Sequence, residues 1–194
     1  MMMRLKGLHA VSEWIEANPL KQAERLQRSV SSQWEPPPDD FIKCNFDCSF
    51  SQESNVMKVG WIVRDSQGSF LEAGWATLPQ VSSPLQAEAM AFIYVVQRMW
   101  VLGRRKVWFE GDNLVLTTTI NQGKQNVELG NLLWDIRHWI SKLPLSSLGY
   151  VNREKNQAAD ALAKHNLHNC LNIYKVYVSP PIWLVNFLYS PFTV

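Results

Sequence analysis

Four carboxylates stand where the local pattern would sooner place another residue type. Asp47 interrupts an alternating apolar stretch, and Glu88 borders the apolar stripe of a helical pattern. Asp112 follows a short apolar run, and Asp160 falls in the first turn of a late helix. If the four converge, they form a site for hard divalent cations, because Mg²⁺ prefers oxygen ligands and keeps coordination positions for substrate phosphates. Each acid also has a plain structural reading. Asp47 fits the solvated side of an edge strand, and Glu88 a stripe-edge glutamate favoured by the helix dipole. Asp112 or Asn113 fits a helix cap, and Asp160 a first-turn acid in a helix capped by Asn156. Aspartate is depleted in strands and costly in a central one, so Asp47 tips toward function, and the other three gain weight from its company.

The elements that must position these acids follow from periodicity. Ile42, Cys44, Phe46 and Cys48 alternate with Asn45 and Asp47, a strand pattern over 41–49. Strands follow at 56–65 and 70–78, joined by a turn at Asp65 to Gly68. Pro84 opens a long helix with Leu85, Ala89, Phe92, Val96 and Met99 on its buried stripe, ending near Gly103. A strand over 106–110, helices over 114–121 and 132–143, a strand over 147–151 and a helix from Asn156 to about Asn166 complete the order. A three-stranded meander followed by alternating elements predicts an α/β fold: a mixed five-stranded sheet, three strands antiparallel and then two parallel, with helices on both faces.

The 194 residues suffice for one domain and a short appendage. Residues 1–40 read as an arm, with a short helix from Asn18 to about Ser29 and the linker Pro36-Pro37-Pro38. Residues 41–168 read as the domain and 169–194 as a tail. A content of 46% hydrophobic residues excludes a disordered chain, and a net charge of +2 permits nucleic acid without arguing for it. Three cysteines without CxxC spacing exclude a disulfide framework or zinc ribbon, and His165, His168 and Cys170 lack a second ligand pair. Trp61, Trp75, Trp108, Trp134 and Trp139 are expected in the core. No secretory signal or spanning segment is read, so a soluble intracellular protein of nucleus or cytoplasm, not bound to membrane and monomeric, is expected.

Four motifs carry a resemblance to the ribonuclease H family, closest to plant-type domains associated with reverse transcriptases. They are Lys43-Cys44-Asn45-Phe46-Asp47, Leu85-Gln86-Ala87-Glu88-Ala89 and Phe109-Glu110-Gly111-Asp112-Asn113, then Asn152 to Asn156 closing with Ala159 to Lys164. The resemblance implies that Asp47, Glu88, Asp112 and Asp160 are catalytic and hold two Mg²⁺ ions, with Mn²⁺ a possible substitute. The reaction implied is hydrolysis of the RNA strand of an RNA–DNA hybrid, one metal activating water and the other stabilising the leaving oxygen. Selection of RNA requires contact with its 2′-hydroxyl, and Ser49, Gln86, Asn113, Arg153 and Asn156 are the implied substrate contacts.

The chain departs from the family pattern twice. Many active members carry histidine ten residues before the last acid, where this chain has Tyr150, and Cys48 replaces the glycine that often follows the first acid. Tyrosine does not shuttle protons near neutrality as imidazole does, which implies slowed turnover. The alternative reading is therefore a domesticated, retrotransposon-derived module that binds nucleic acid with little or no cleavage.

Overall fold

The computed structural model describes residues 34–53, 56–165 and 173–188. The predicted arm helix at 18–29, His168 and Cys170 lie outside them. The chain forms β1 (Ile42–Ser49), β2 (Val56–Arg64), β3 (Phe70–Pro79), α1 (Pro84–Val101), β4 (Val107–Gly111) and α2 (Leu114–Asn121). It continues with α3 (Asn131–Ser141), β5 (Ser147–Tyr150), a 3₁₀ turn (Arg153–Lys155), α4 (Gln157–Lys164), β6 (Tyr174–Tyr177) and α5 (Ile182–Leu188).

The sheet runs β5-β4-β1-β2-β3-β6. β1 pairs antiparallel with β2 and parallel with β4, and β4 pairs parallel with β5. β1 is thus central and lies where the sheet changes from antiparallel to parallel, which argues against the edge-strand reading of Asp47. The sheet has six strands where the sequence predicts five. β6, from the segment read as tail, pairs antiparallel with β3. Its four residues are exposed or half-buried, so no apolar alternation betrays it.

Alternation along β1 turns Cys44 and Phe46 into the main core and Lys43, Asn45 and Asp47 to the opposite face. The main core lies between the sheet and α1, α2 and α3. There Phe92 of α1 stacks on Phe46 at 5.3 Å and meets Phe109 edge-on at 5.5 Å. A smaller core on the other face joins Ile62 and Ala73 to Ala158, Leu162 and Leu184, packing α4 and α5 on the sheet. Trp61 and Trp75 are buried as predicted, but Trp134 is 67% exposed and stacks on His138 on the solvent side of α3. Its helical position is shared by neither of the buried residues of α3, Leu133 and Ile136. Among the described residues no helix is long and apolar enough to cross a membrane.

The lead-in docks on the sheet. Trp34 Nε1 donates to Asn45 Oδ1 (2.8 Å), the Arg64 guanidinium lies 3.8 Å from the Trp34 ring centre, and Lys155 Nζ meets Glu35 Oε1 at 2.8 Å.

The seat of α4 depends on Gly60 of β2, the partner of Asp47 across the ladder. A Cβ there would lie 2.3 Å from Ala163 N and 2.5 Å from Ala159 O, both backbone atoms that cannot rotate away. Gly60→Ala is therefore expected to cost about 3 kcal/mol or more, at the upper end of overpacking effects, and to lift α4 with its acid off the sheet. Urea unfolding measures the first effect, and faster amide hydrogen exchange in α4 the second.

Candidate functional site

The β1–β4 ladder ends at the pair Asn45–Glu110, and beyond it the two strands part. The next β1 carbonyl, that of Phe46, accepts from Asn156 Nδ2 at 2.9 Å. Asp47 follows on β1, and Asp112 lies just past the carboxyl end of β4, in the crevice where open α/β sheets gather ligands. Gly111 permits this approach, since a Cβ there would stand 2.7 Å from the Phe46 ring. α1 brings Glu88 over the same end. It starts at Pro84 behind Ser83, whose Oγ accepts from Gln86 N at 3.2 Å. α4 supplies Asp160 from the opposite face, its backbone N–H bonded to the Asn156 carbonyl.

The four acids act on one another. Burial, reinforced by the charges of Glu88, Asp112 and Asp160, pushes the Asp47 carboxyl up to about 8, although Oδ1 accepts from Cys48 N at 2.8 Å. Burial, with Asp112 adding to it, raises Glu88 to about 7 against the opposing pull of the Cys48 thiol and Arg153. Asp112 is raised by burial, with Arg153 countering and Asp160 adding. For Asp160 burial works upward, but Lys164, Asp47 and Arg153 outweigh it and hold the carboxyl below its ordinary range. Asp47 and Asp160 are coupled: the Asp160 charge adds to the rise of Asp47, and Asp47 helps to hold Asp160 low. Lys164 Nζ lies 2.6 Å from Asp160 Oδ1, and Arg153 approaches the same oxygen at 3.4 Å.

Glu88 is only 8% exposed, and its Oε2 has no hydrogen-bond partner. Donor atoms of Asp47, Cys48 and Glu88 lie within 4.8 Å of one another. A buried carboxylate oxygen left without a donor, in a cluster that resists its own ionisation, fits a bound cation. The donors of the four acids are all carboxylate oxygen, the set that hard divalent ions prefer.

The other predicted contacts divide. Ser49 ends β1 half-buried, and Arg153 is 72% exposed at its side chain, leaning over Asp160. Gln86 instead ties the start of α1 to the neighbouring loop, its Nε2 donating to Glu128 O at 2.8 Å. Asn113 caps α2 through Oδ1, which accepts from Leu116 N at 2.9 Å, and this leaves Asp112 uncapped and available. Asn156 is the buried N-cap residue of α4, as expected, and its carbonyl accepts from Ala159 N and Asp160 N, but its side chain makes no cap bond and Nδ2 donates to Phe46 O instead. Lys164 was not among the predicted site residues, although its place four residues after Asp160 on one helix face signals the ion pair. Tyr150 is 44% exposed and lines a cleft of about 330 Å³ with Trp34, Lys43, Trp108 and Lys155.

Strand order, helices on both faces and the acid cluster together define a ribonuclease H-like fold. The solved structures agree. Ribonuclease H1 from Halobacterium salinarum NRC-1 superposes with a TM-score of 0.60 at 22% identity, covering 66% of this chain and 97% of that one. A compost-derived ribonuclease H1, LC11, gives 0.56 at 20% identity, covering 63% and 92%. The same LC11 enzyme in complex with an RNA/DNA hybrid gives 0.54 at 21%, covering 62% and 92%. No curated protein matches the chain by sequence. The chain belongs to the reverse transcriptase-like family, whose model matches residues 45–166.

Proposed function

We propose that this chain is a divalent-metal-dependent endoribonuclease that hydrolyses the RNA strand of RNA–DNA hybrids. The observation that carries the reading is the approach of the Asp47 and Glu88 carboxylates to within 4.8 Å of each other, with Asp112 and Asp160 near enough for their charges to raise Asp47. These residues are the ligands for two Mg²⁺ ions, or Mn²⁺ in their place. When bound, such ions polarise a phosphate and activate water near neutral pH. The LC11 structure with a hybrid supports this substrate class.

The remaining chemistry belongs to the chain. Arg153, exposed above Asp160, is placed to meet a backbone phosphate, and Ser49 stands at the rim to contact the sugar. Asn156 fixes where α4 meets β1 and so sets the position of Asp160 relative to Asp47. Cleavage of a labelled hybrid in Mg²⁺, absent in chelator, tests the reading.

Tyr150 and Cys48 favour a second reading, a module that binds hybrid without cutting it. The two readings separate on one variant. Tyr150→His supplies a group that exchanges protons near neutral pH at the end of β5, whose residue 150 pairs with Gly111, next to Asp112. It is expected to raise the hybrid cleavage rate by about tenfold or more, up to the roughly 10²–10⁴-fold that general acid–base catalysis contributes. Single-turnover rates across pH check this. Hybrid binding with no cleavage by either form would select the second reading.

A further inference from the structure

Cys48 sits between two acids of the cluster, at the exit of the central strand. The half-buried Cys48 side chain packs against the edge of the main core, on the strand face of Cys44 and Phe46, where Glu88 of α1 also approaches. Sγ and one oxygen each from Asp47 and Glu88 lie within 4.8 Å of one another. Glu88, more than nine-tenths buried, also carries an oxygen without a hydrogen-bond partner, Oε2. Two donors bonded to one ion at the tetrahedral angle stand about 3.3–3.8 Å apart when their bonds are roughly 2.0–2.3 Å long, so side-chain rotation that draws the three donors inward closes the shell.

We propose that Cys48 Sγ is itself a ligand, together with Asp47 and Glu88, in a mixed oxygen–sulfur centre that favours thiophilic divalent cations, Cd²⁺ and Zn²⁺, over Mg²⁺. The inference rests on the reading of the acids as a metal centre and adds a cation preference that an all-carboxylate set does not have. Soft sulfur ligands select borderline and soft metals, whereas carboxylates alone suit Mg²⁺ and Mn²⁺. As the sulfur–metal bond forms, the metal loses a water and the thiol proton leaves to solvent. No electron is transferred and no other reactant is needed.

The test uses the full chain with Cys170→Ser as background, since Cys44 is fully buried in the main core. Cd²⁺ is titrated while the thiolate-to-cadmium charge-transfer absorption is followed, and Cys48→Ser is compared. The band is expected in the background protein and lost in the serine variant. Cd²⁺ affinity is expected to fall by about 10–100-fold, at least the loss that supporting groups of a metal site cause, with Mg²⁺ affinity nearly unchanged. A second measurement needs no Cys48 variant: alkylation of Cys48, read by mass spectrometry of its peptide, is expected to slow in Cd²⁺ and not in Mg²⁺. A band and affinity that persist in Cys48→Ser, or alkylation indifferent to Cd²⁺, overturns the proposal. Neither readout involves substrate. A sulfur-bound Cd²⁺ without hybrid cleavage would sink the nuclease reading alone, and cleavage without sulfur ligation would sink this inference alone.

Discussion

Asp47→Asn is expected to abolish Mg²⁺-dependent cleavage of an RNA–DNA hybrid while leaving hybrid binding within a few-fold of wild type. Asp47 is the hub of the cluster. It is 4% exposed and feels the charges of Glu88, Asp112 and Asp160. The amide keeps the size and shape of the side chain and its capacity to accept from Cys48 N, but it removes the negative charge that a cation needs. Loss of one preorganised electrostatic partner costs about 10²–10³-fold in turnover, and loss of a ligand shared by the site is expected to exceed that. Arg153 and Ser49, offered above as phosphate and sugar contacts, are untouched, so binding persists. Steady-state cleavage and hybrid affinity, measured side by side, decide the matter. An Asn variant that cuts within twofold of wild type would remove the basis for the proposed reaction.

The acids were legible in the sequence because each breaks a local rule: a charged residue amid strand alternation, beside an apolar stripe, or just past a strand end. The elements were legible for the same reason, since a period of two and a period of 3.6 are written in single residues such as Cys44, Phe46, Leu85 and Phe92. What stayed hidden depends on three-dimensional neighbours. Gly60 reads as an ordinary strand residue until α4 is laid across it with backbone atoms closer than any side chain allows. Asn156 has the composition of a cap, yet its amide is drawn to a strand carbonyl 110 positions away. β6 offers too little burial to leave a pattern, and Trp134 shows that aromatic content within a helix does not fix which face it takes. The raised carboxyls come first from burial and then from neighbouring acids, which no stretch of sequence encodes alone.

Burial and crowding of the acids are expected to make the metal-free protein lose stability as pH rises. The carboxyls of Asp47 and Glu88 titrate near 8 and 7 in the folded state, against ordinary values of 3.8 and 4.5. Between those limits the folded chain holds protons that the unfolded chain has released, so stability is fullest below the ordinary values and declines until both acids ionise. Asp112, raised by burial, adds in the same direction. Asp160, lowered against its burial by Lys164, Asp47 and Arg153, has the opposite sign, but its contribution is lost only on acidification below the ordinary carboxylate range, outside this window. In chelator, thermal unfolding is expected to fall by about 5–10 °C between about pH 5 and pH 8, from a loss of roughly 2–3 kcal/mol at this chain length. Excess Mg²⁺ is expected to offset that loss, contributing about 2.7 kcal/mol at a hundred times its dissociation constant, and more as pH rises because its ligands must be ionised. Asp47→Asn removes the most strongly raised group, so in chelator near pH 8 it is expected to unfold at a higher temperature than wild type. Because the same substitution is expected to abolish cleavage, a variant more stable but inactive would tie the repulsion among these acids to the site's function. A metal-free wild type that gains stability across the window, or an Asn variant whose melting tracks it at every pH, would mean that the four acids do not share one pocket.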